Sequence, residues 1–566
     1  MATRALAEQV KVGIAAGAML AVGAGYLIAK LKAKAKDNEE ALNYIKNTKL
    51  ITVGNWSFNL YQSFAAMLIV FAMFTTINYQ RYDSKTYMVE SDGYDLLHYY
   101  INAKYFDELQ YFRLVPALIL ADNEVGEQCP GQAPIYLAQD EHDYTKKSRA
   151  HALAREEEIK AHFTPERWKE FTMDVTYIQR HFSFGMSCDL WRMLLQDHGF
   201  NGTPVWTLIA RPIASIIPVK AIKIATWLDV IWLIAALAAV AWAFGFQAFA
   251  FTWIFMMVCY SYRWPHIPWA FLRYDWISSM VIGVCLVKKE KFALGGGFFA
   301  YATLMRYFPG LWLFGILAKG IYELFVRKEI PLNRIWMRIS MRYYRMAFGF
   351  FLTILVLVGA SVARDGIDSH VQSLKNMAAH VQPHNLSSRR QGLAVTLTYR
   401  GETDLKLIPK EKKEMVADIE TGVRVFGVIM MGILGFFLYR GKDWEAVGLG
   451  MIPYFMLTTS SYYYYVLRLP AVLIHAADLS KKRNAVGLAM LFGIELFTNA
   501  SEHIKPGNRY FLVCVMGLLM LLYSFVMIGW FGWEWWLGHK AALESESPTQ
   551  SKSSDKPASK APDKKK

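Results

Sequence analysis

Long runs of apolar residues constrain this chain more than any other feature. "VKVGIAAGAMLAVGAGYLIA" (10–29), "MAFGFFLTILVLVGASVA" (346–363) and "YFLVCVMGLLMLLYSFVMIGWFGW" (510–533) each approach the length of a bilayer crossing. About 20 such residues in a helix span the hydrocarbon core. A soluble protein would have no way to bury so many runs, and the 566 residues are 54% hydrophobic and 15% aromatic. The fold class read from this is an all-α polytopic membrane protein. The first run is followed by "KLKAKAKDNEE" without a small-residue cleavage site, so it reads as a retained helix.

The net charge of +15 could suggest nucleic acid, but the basic residues sit beside apolar runs, as positive-inside topology requires. Clusters at 30–36, 288–291, 327–345 and 481–483 and the final "KKK" mark the inner side. Threading from them places spans at 10–29, 57–77, 224–245, 247–262, 275–287, 293–306, 309–325, 346–363, 421–439, 444–459, 460–478, 482–498 and 509–536, about thirteen crossings. Three parts follow. Residues 1–56 are an N-terminal membrane helix with a charged inner linker. Residues 57–540 form the membrane domain, with outer loops at 78–206 and 364–420. Residues 541–566, low in apolar groups, form a disordered tail on the inner side. The run 205–219 reads as a surface-lying helix.

Cys259, Cys285 and Cys514 fall in apolar spans and read as small core residues. Cys129 and Cys188 share the first outer loop and can pair if that loop faces an oxidising compartment. "FTPERWKEFTMDVTYIQRHF" (163–182) has helical periodicity with a Thr164–Pro165 start.

The loop opens on "SDGYDLLHYYINAKYFDEL" (91–109). On a helix, Asp95, Tyr99, Asn102 and Phe106 share a face, flanked by His98 and Tyr105. Tyrosines at headgroup level explain such a helix structurally. A carboxylate held at the membrane surface to deprotonate a hydroxyl explains it functionally. Further on, "GGGFFAYATLMRYFPGLWLFGILAKG" (295–320) sets Arg306 beside the helix-breaking Pro309. Arg306 is either a snorkelling cation or a guanidinium fork for a lipid phosphate.

An acid-aromatic helix just past an early span resembles the first outer loop of GT-C integral-membrane glycosyltransferases, most of all the bacterial polyprenol-phosphate-mannose-dependent mannosyltransferases. Asp95-Leu96-Leu97-His98-Tyr99-Tyr100 fits that pattern, and Arg306 to Pro309 is similar to the family's cation-x-x-Pro break. "HNLSSRRQGL" (384–393) resembles its Asn- and Gly-containing second loop, with His370, His380, Arg389 and Arg390 nearby, and "TTSSYYYYVLRLP" (458–470) its late tyrosine-rich helix. The resemblance runs from residue 57 to about 480.

The resemblance implies a bacterial inner-membrane enzyme with a periplasmic active site. A sugar would pass from a polyprenyl-phosphate donor to a hydroxyl of a lipid or glycan acceptor, with inversion. It implies Asp95, His98 and His384 as catalytic residues, and Arg306, Tyr99, Asn102, Arg389 and Arg390 on the donor and its phosphate. Asp92 is the reserve base but reads as a helix cap. No cofactor and no metal is expected, although Asp92, Asp95 and His98 could hold a divalent ion weakly. Membrane lipids are the other expected contact; nucleic acid is not. The first loop is longer than in that family, which keeps a non-catalytic membrane scaffold or complex subunit as the alternative. A transporter would call for internal repeats and mid-span ionisable groups, neither of which the sequence displays.

Overall fold

The computed structural model describes residues 2–546 apart from 36–37, 39, 41–42, 44–46, 54–55, 83–91, 127–134, 140–143, 182–186, 264–269, 383–384, 388 and 402–409. His384, Cys129 and the tail from 547 lie outside the described residues.

Seven described helices are long and apolar enough to cross a membrane: Leu6–Ala35, Leu60–Tyr79, Val219–Phe244, Phe308–Val326, Met341–His380, Lys410–Arg440 and Arg509–Lys540. Their surfaces keep large apolar side chains exposed, among them Leu20, Val70, Ile231, Leu317, Phe348 and Leu355. That is the pattern of helices solvated by lipid rather than water. Around them pack the shorter helices Phe246–Val258, Asp275–Lys288 and Phe292–Arg306, and the more polar Lys482–Ile504. The fold is mainly helical, with three two-stranded antiparallel pairs among the described residues: Lys49–Val53 with Trp56–Asn59, Ile135–Gln139 with Tyr144–Ser148, and the sequence-distant Arg390–Gln391 with Ser460–Ser461.

Local chemistry accounts for several boundaries. Asn59 and Gln62 form a reciprocal capping box at the start of Leu60–Tyr79. The Thr164 hydroxyl accepts the Arg167 N–H where helix Pro165–His181 begins, as the Thr-Pro signal predicts. The anticipated spans 444–459 and 460–478 are instead short pieces, Asp443–Gly448, Met451–Leu457, a 3-10 turn Tyr462–Arg468, and Leu469–Ala476. A glycine causes one break: Gly450 lies against the Trp312 ring, where any side chain would clash.

Helix Phe292–Arg306 crosses Met341–His380 with backbone touching backbone. A Cβ on Gly349 would collide with the Ala293 carbonyl, and one on Gly296 with that of Met346. Within 364–420, helix Met341–His380 runs on to 380 and the next described helix begins at Lys410. The last helix continues to Glu546, past the expected boundary at 540.

In the stretch 78–206, which the sequence reading expects as an outer subdomain, helices Leu114–Glu124, Pro165–His181 and Cys188–Leu195 pack around the run that begins at Gly93. Cys188 is disulfide-bonded, whereas Cys259, Cys285 and Cys514 are buried outside any disulfide. The run 205–219 forms helix Pro204–Ile216. It buries Trp206, Thr207, Ala210 and Ala214 and leaves Ile216 exposed.

Candidate active site

Asp92 caps the helical run, its Oδ1 accepting the N–H groups of Tyr94 (3.1 Å) and Asp95 (3.4 Å). The run is not one regular helix. A π-turn over Leu97–Ile101 inserts an extra residue, and Tyr105 breaks the helix again. The expected face therefore splits. Tyr99 stays beside Asp95, but Asn102 turns away and donates to the carbonyl of Gln110 (3.1 Å), a residue with φ +49°. Asn102 closes a turn here.

Asp95 is buried, and two groups hold it. Its Oδ1 pairs with Arg273 Nε at 3.1 Å, and its Oδ2 accepts the Phe271 N–H at 3.2 Å. The segment carrying them, Phe271–Tyr274, is clamped along its backbone. Asp229 accepts the N–H groups of Arg273 (3.0 Å) and Tyr274 (2.9 Å), and Trp206 Nε1 donates to the Leu272 carbonyl (3.0 Å). Nothing near Asp95 in the sequence predicts Arg273. Two sequence signals were there to be used: Asp229 is an acid inside an apolar run, and Arg273 is a cation where the threading from the basic clusters expects the outer side.

Tyr99 lies between two cations. The guanidinium carbons of Arg273 and Arg306 sit 4.3 and 5.4 Å from its ring centre. Phe200 and Trp206 meet the ring edge-on, and its hydroxyl donates to Asn201 Oδ1 at 2.6 Å. Arg306 ends its helix at the predicted break but does not snorkel. It is 4% exposed, with Nη1 on the Met305 carbonyl (3.2 Å), while Nη2 is buried with no hydrogen-bond partner among the described residues. Both arginines adjoin strained backbone: Leu272 has φ +49° and Tyr307 φ +55°. Such conformations cost about 1–3 kcal/mol each and cluster where geometry is functional.

His98 Nδ1 lies 3.0 Å from the Tyr94 carbonyl, which can only accept, so the proton is on Nδ1 and the lone pair on Nε2. That Nε2 is buried without a partner, as is Asp92 Oδ2. The Tyr94 hydroxyl donates to Asp197 Oδ2 at 2.5 Å, and the Asp197 Oδ1 accepts the His198 N–H at 2.8 Å.

Burial dominates the ionisation of this cluster. It pushes the Asp92 carboxyl up to about 7, helped by the Asp95 charge and opposed by the capping N–H groups. It raises Asp95 as well, against the pull of Arg273, the Phe271 N–H, His98 and Arg306. It lowers His98, keeping the imidazole neutral. Asp197 is the exception. Burial pushes it up, but the hydrogen bonds it accepts from His198 and Tyr94 carry it well below the ordinary carboxylate range.

The second loop reaches the same region. Arg390 is buried, paired with Ser461 across a short antiparallel strand pair, and donates to the His380 carbonyl at 3.0 Å. The charge of Arg389 acts on the Tyr94 phenol. The His380 ring stacks edge-on against His198 at 4.7 Å, whereas His370 is drawn aside to Ser361 (3.1 Å). From the tyrosine-rich stretch, Tyr463 lies 5.5 Å from the Arg273 guanidinium. Thus Asp95, His98, Tyr99 and Arg306 come together, Arg389 and Arg390 border them, and Asn102 stands apart. Among the described residues, no group of three or more His, Cys, Asp or Glu is arranged to hold a metal ion.

Comparison with protein-family models, with curated proteins and with solved structures finds no match in any of the three.

Proposed function

We propose that this is a GT-C-type glycosyltransferase with about thirteen membrane crossings, taking a sugar from a polyprenyl-phosphate donor to a hydroxyl on a lipid or glycan acceptor at the outer, periplasmic face of a bacterial inner membrane. One observation carries the reading. Arg306 is a buried guanidinium with an unpartnered N–H, next to a second buried arginine, and a phosphate oxygen is the acceptor such a group lacks.

In this reading the acceptor oxygen bonds to the anomeric carbon as the carbon–phosphate-oxygen bond breaks. The electron pair leaves with the phosphate towards Arg306, and the hydroxyl proton passes to Asp95. Attack opposite the leaving group inverts the anomeric centre. Arg273 supports an ionised Asp95, and the neutral His98, with its lone pair on Nε2, is placed to pass the proton on. Asp92 is the competing base, because one of its oxygens is unengaged and its carboxyl titrates near neutrality.

The Asp95–Arg273 ion pair favours a second reading: a pair that only locks the outer helix to Phe271–Tyr274 would suit a non-catalytic scaffold. Purified protein incubated with polyprenyl-phosphate sugars and hydroxyl acceptors decides between them. Release of the lipid phosphate with transfer of an inverted sugar is expected from the enzyme. Absence of transfer from every such donor favours the scaffold. If transfer occurs, Asp95→Asn cuts it at least ~100-fold. Loss in Asp92→Asn instead moves the base one turn earlier.

A further inference from the structure

Helix Met341–His380 is two helices joined at Gly366, whose φ of +74° and ψ of 166° turn the chain at that point. The apolar stretch before the turn, 346–363, covers ~27 Å at 1.5 Å per residue, close to the thickness of a hydrocarbon core. Arg364 and Asp365 follow at once. Asp365 is held by Arg211 of helix Pro204–Ile216 at 3.1 Å, which fixes the turn against the outer subdomain.

Beyond the turn, residues 367–381 divide sharply. Ser369, Ser373, Asn376 and Ala379 are buried. Ile367, Val371, Leu374 and Val381 are 44–60% exposed, and Ala378, also exposed, completes the same i, i+4, i+7, i+11, i+14 stripe. Asp368 is the one exposed polar residue in 367–381, and at 100° per residue it lies to one side of this aliphatic stripe. In water such an arrangement places apolar groups where polar ones belong; at a bilayer surface it is the expected one. It also continues directly from the exposed Phe348, Phe351, Leu352 and Leu355 of the membrane span in the same helix.

We infer that 367–381 lies along the membrane surface on the face that carries the candidate site, with Ile367, Val371, Leu374, Ala378 and Val381 seated among the acyl chains of that leaflet. Its other face supports the site. Ser373 Oγ is 3.0 Å from the hydroxyl of Tyr307, the strained neighbour of Arg306. Asn376 donates to the Phe200 carbonyl at 2.8 Å and accepts the Tyr144 hydroxyl at 2.7 Å. One helix thus separates leaflet lipid from the cluster around Tyr99. The inference does not depend on catalysis.

Full-length protein in phosphatidylcholine nanodiscs tests it. A nitrobenzoxadiazole label is placed on Leu374→Cys, on Ala378→Cys, or on the exposed helix-start control Glu166→Cys. Quenching is read with phosphatidylcholine bearing a nitroxide at acyl carbon 5 and with aqueous iodide. Labels at 374 and 378 should be quenched by the nitroxide lipid at least about two-fold more than the control, and by iodide at least about two-fold less. Two positions guard against one substitution failing to fold. If both labels behave like the control, the helix faces water. If both are shielded from lipid and iodide alike, a protein surface covers the stripe. Either result overturns the inference.

Discussion

Replacing Arg273 by glutamine tests whether Asp95 depends on its distant partner. Both side chains are at least nine-tenths buried, and their contact is 3.1 Å. At an effective dielectric of about 20, a pair at that separation attracts by roughly 5 kcal/mol before desolvation is counted. Removing one member leaves Asp95 charged in a buried site, with the Phe271 N–H and the field of Arg306 as support, and also removes one of the two cations at the Tyr99 ring. The expected cost of Arg273→Gln is about 3–5 kcal/mol. Asp95→Asn alone should also destabilise, because it leaves a buried guanidinium without its carboxylate. The double variant removes both charges and should recover about 2–3 kcal/mol of the summed loss. Denaturation in mixed micelles, followed by tryptophan emission at constant slope, reads these differences as midpoint shifts. A double variant whose losses simply add would show that the two charges do not depend on each other. The rigid presentation of Asp95 argued above would then be wrong.

Three further outcomes are expected. Arg306→Lys keeps the charge but loses the fork, and should weaken binding of a polyprenyl-phosphate donor by about 1.5–3 kcal/mol in equilibrium binding, with unchanged affinity removing Arg306 from the phosphate site. Asp92 has a folded-state carboxyl raised to about 7, so its stabilising contribution is complete below the unfolded value near 4 and is lost as pH rises through 7. Asp92→Asn keeps the capping oxygen; it should match the wild type at pH 4 and exceed it at pH 8 by about 1–4 kcal/mol, and parallel stability curves would contradict the assignment. Gly349→Ala forces a methyl into the Ala293 carbonyl at a crossing of two helices and should cost about 1–3 kcal/mol, visible as earlier thermal loss of the monodisperse protein.

Much of the framework was readable from residue order, because its physical causes are local. A run such as 346–363 has one stable solution in lipid, so the helices and their boundaries near 60, 222, 341 and 509 follow from composition alone. Asp92 as a cap, Thr164–Pro165 as a helix start and the break at Arg306–Pro309 are equally local, and the structure has each in its expected place. What the sequence could not provide depends on contacts between distant segments. The 3.6-residue period assumes a regular helix, whereas a π-turn separates Asn102 from Asp95 and Tyr99. Arg306 was open to a snorkelling reading because only packing against Tyr99 and its neighbours decides whether a guanidinium reaches water. Arg273 becomes the partner of Asp95 because Asp229, Trp206 and Asp95 itself grip the backbone of Phe271–Tyr274 from three different segments. Hydrophobic transfer acts on each run by itself and so can be read along the chain; a buried ion pair exists only once tertiary packing has excluded water from both members.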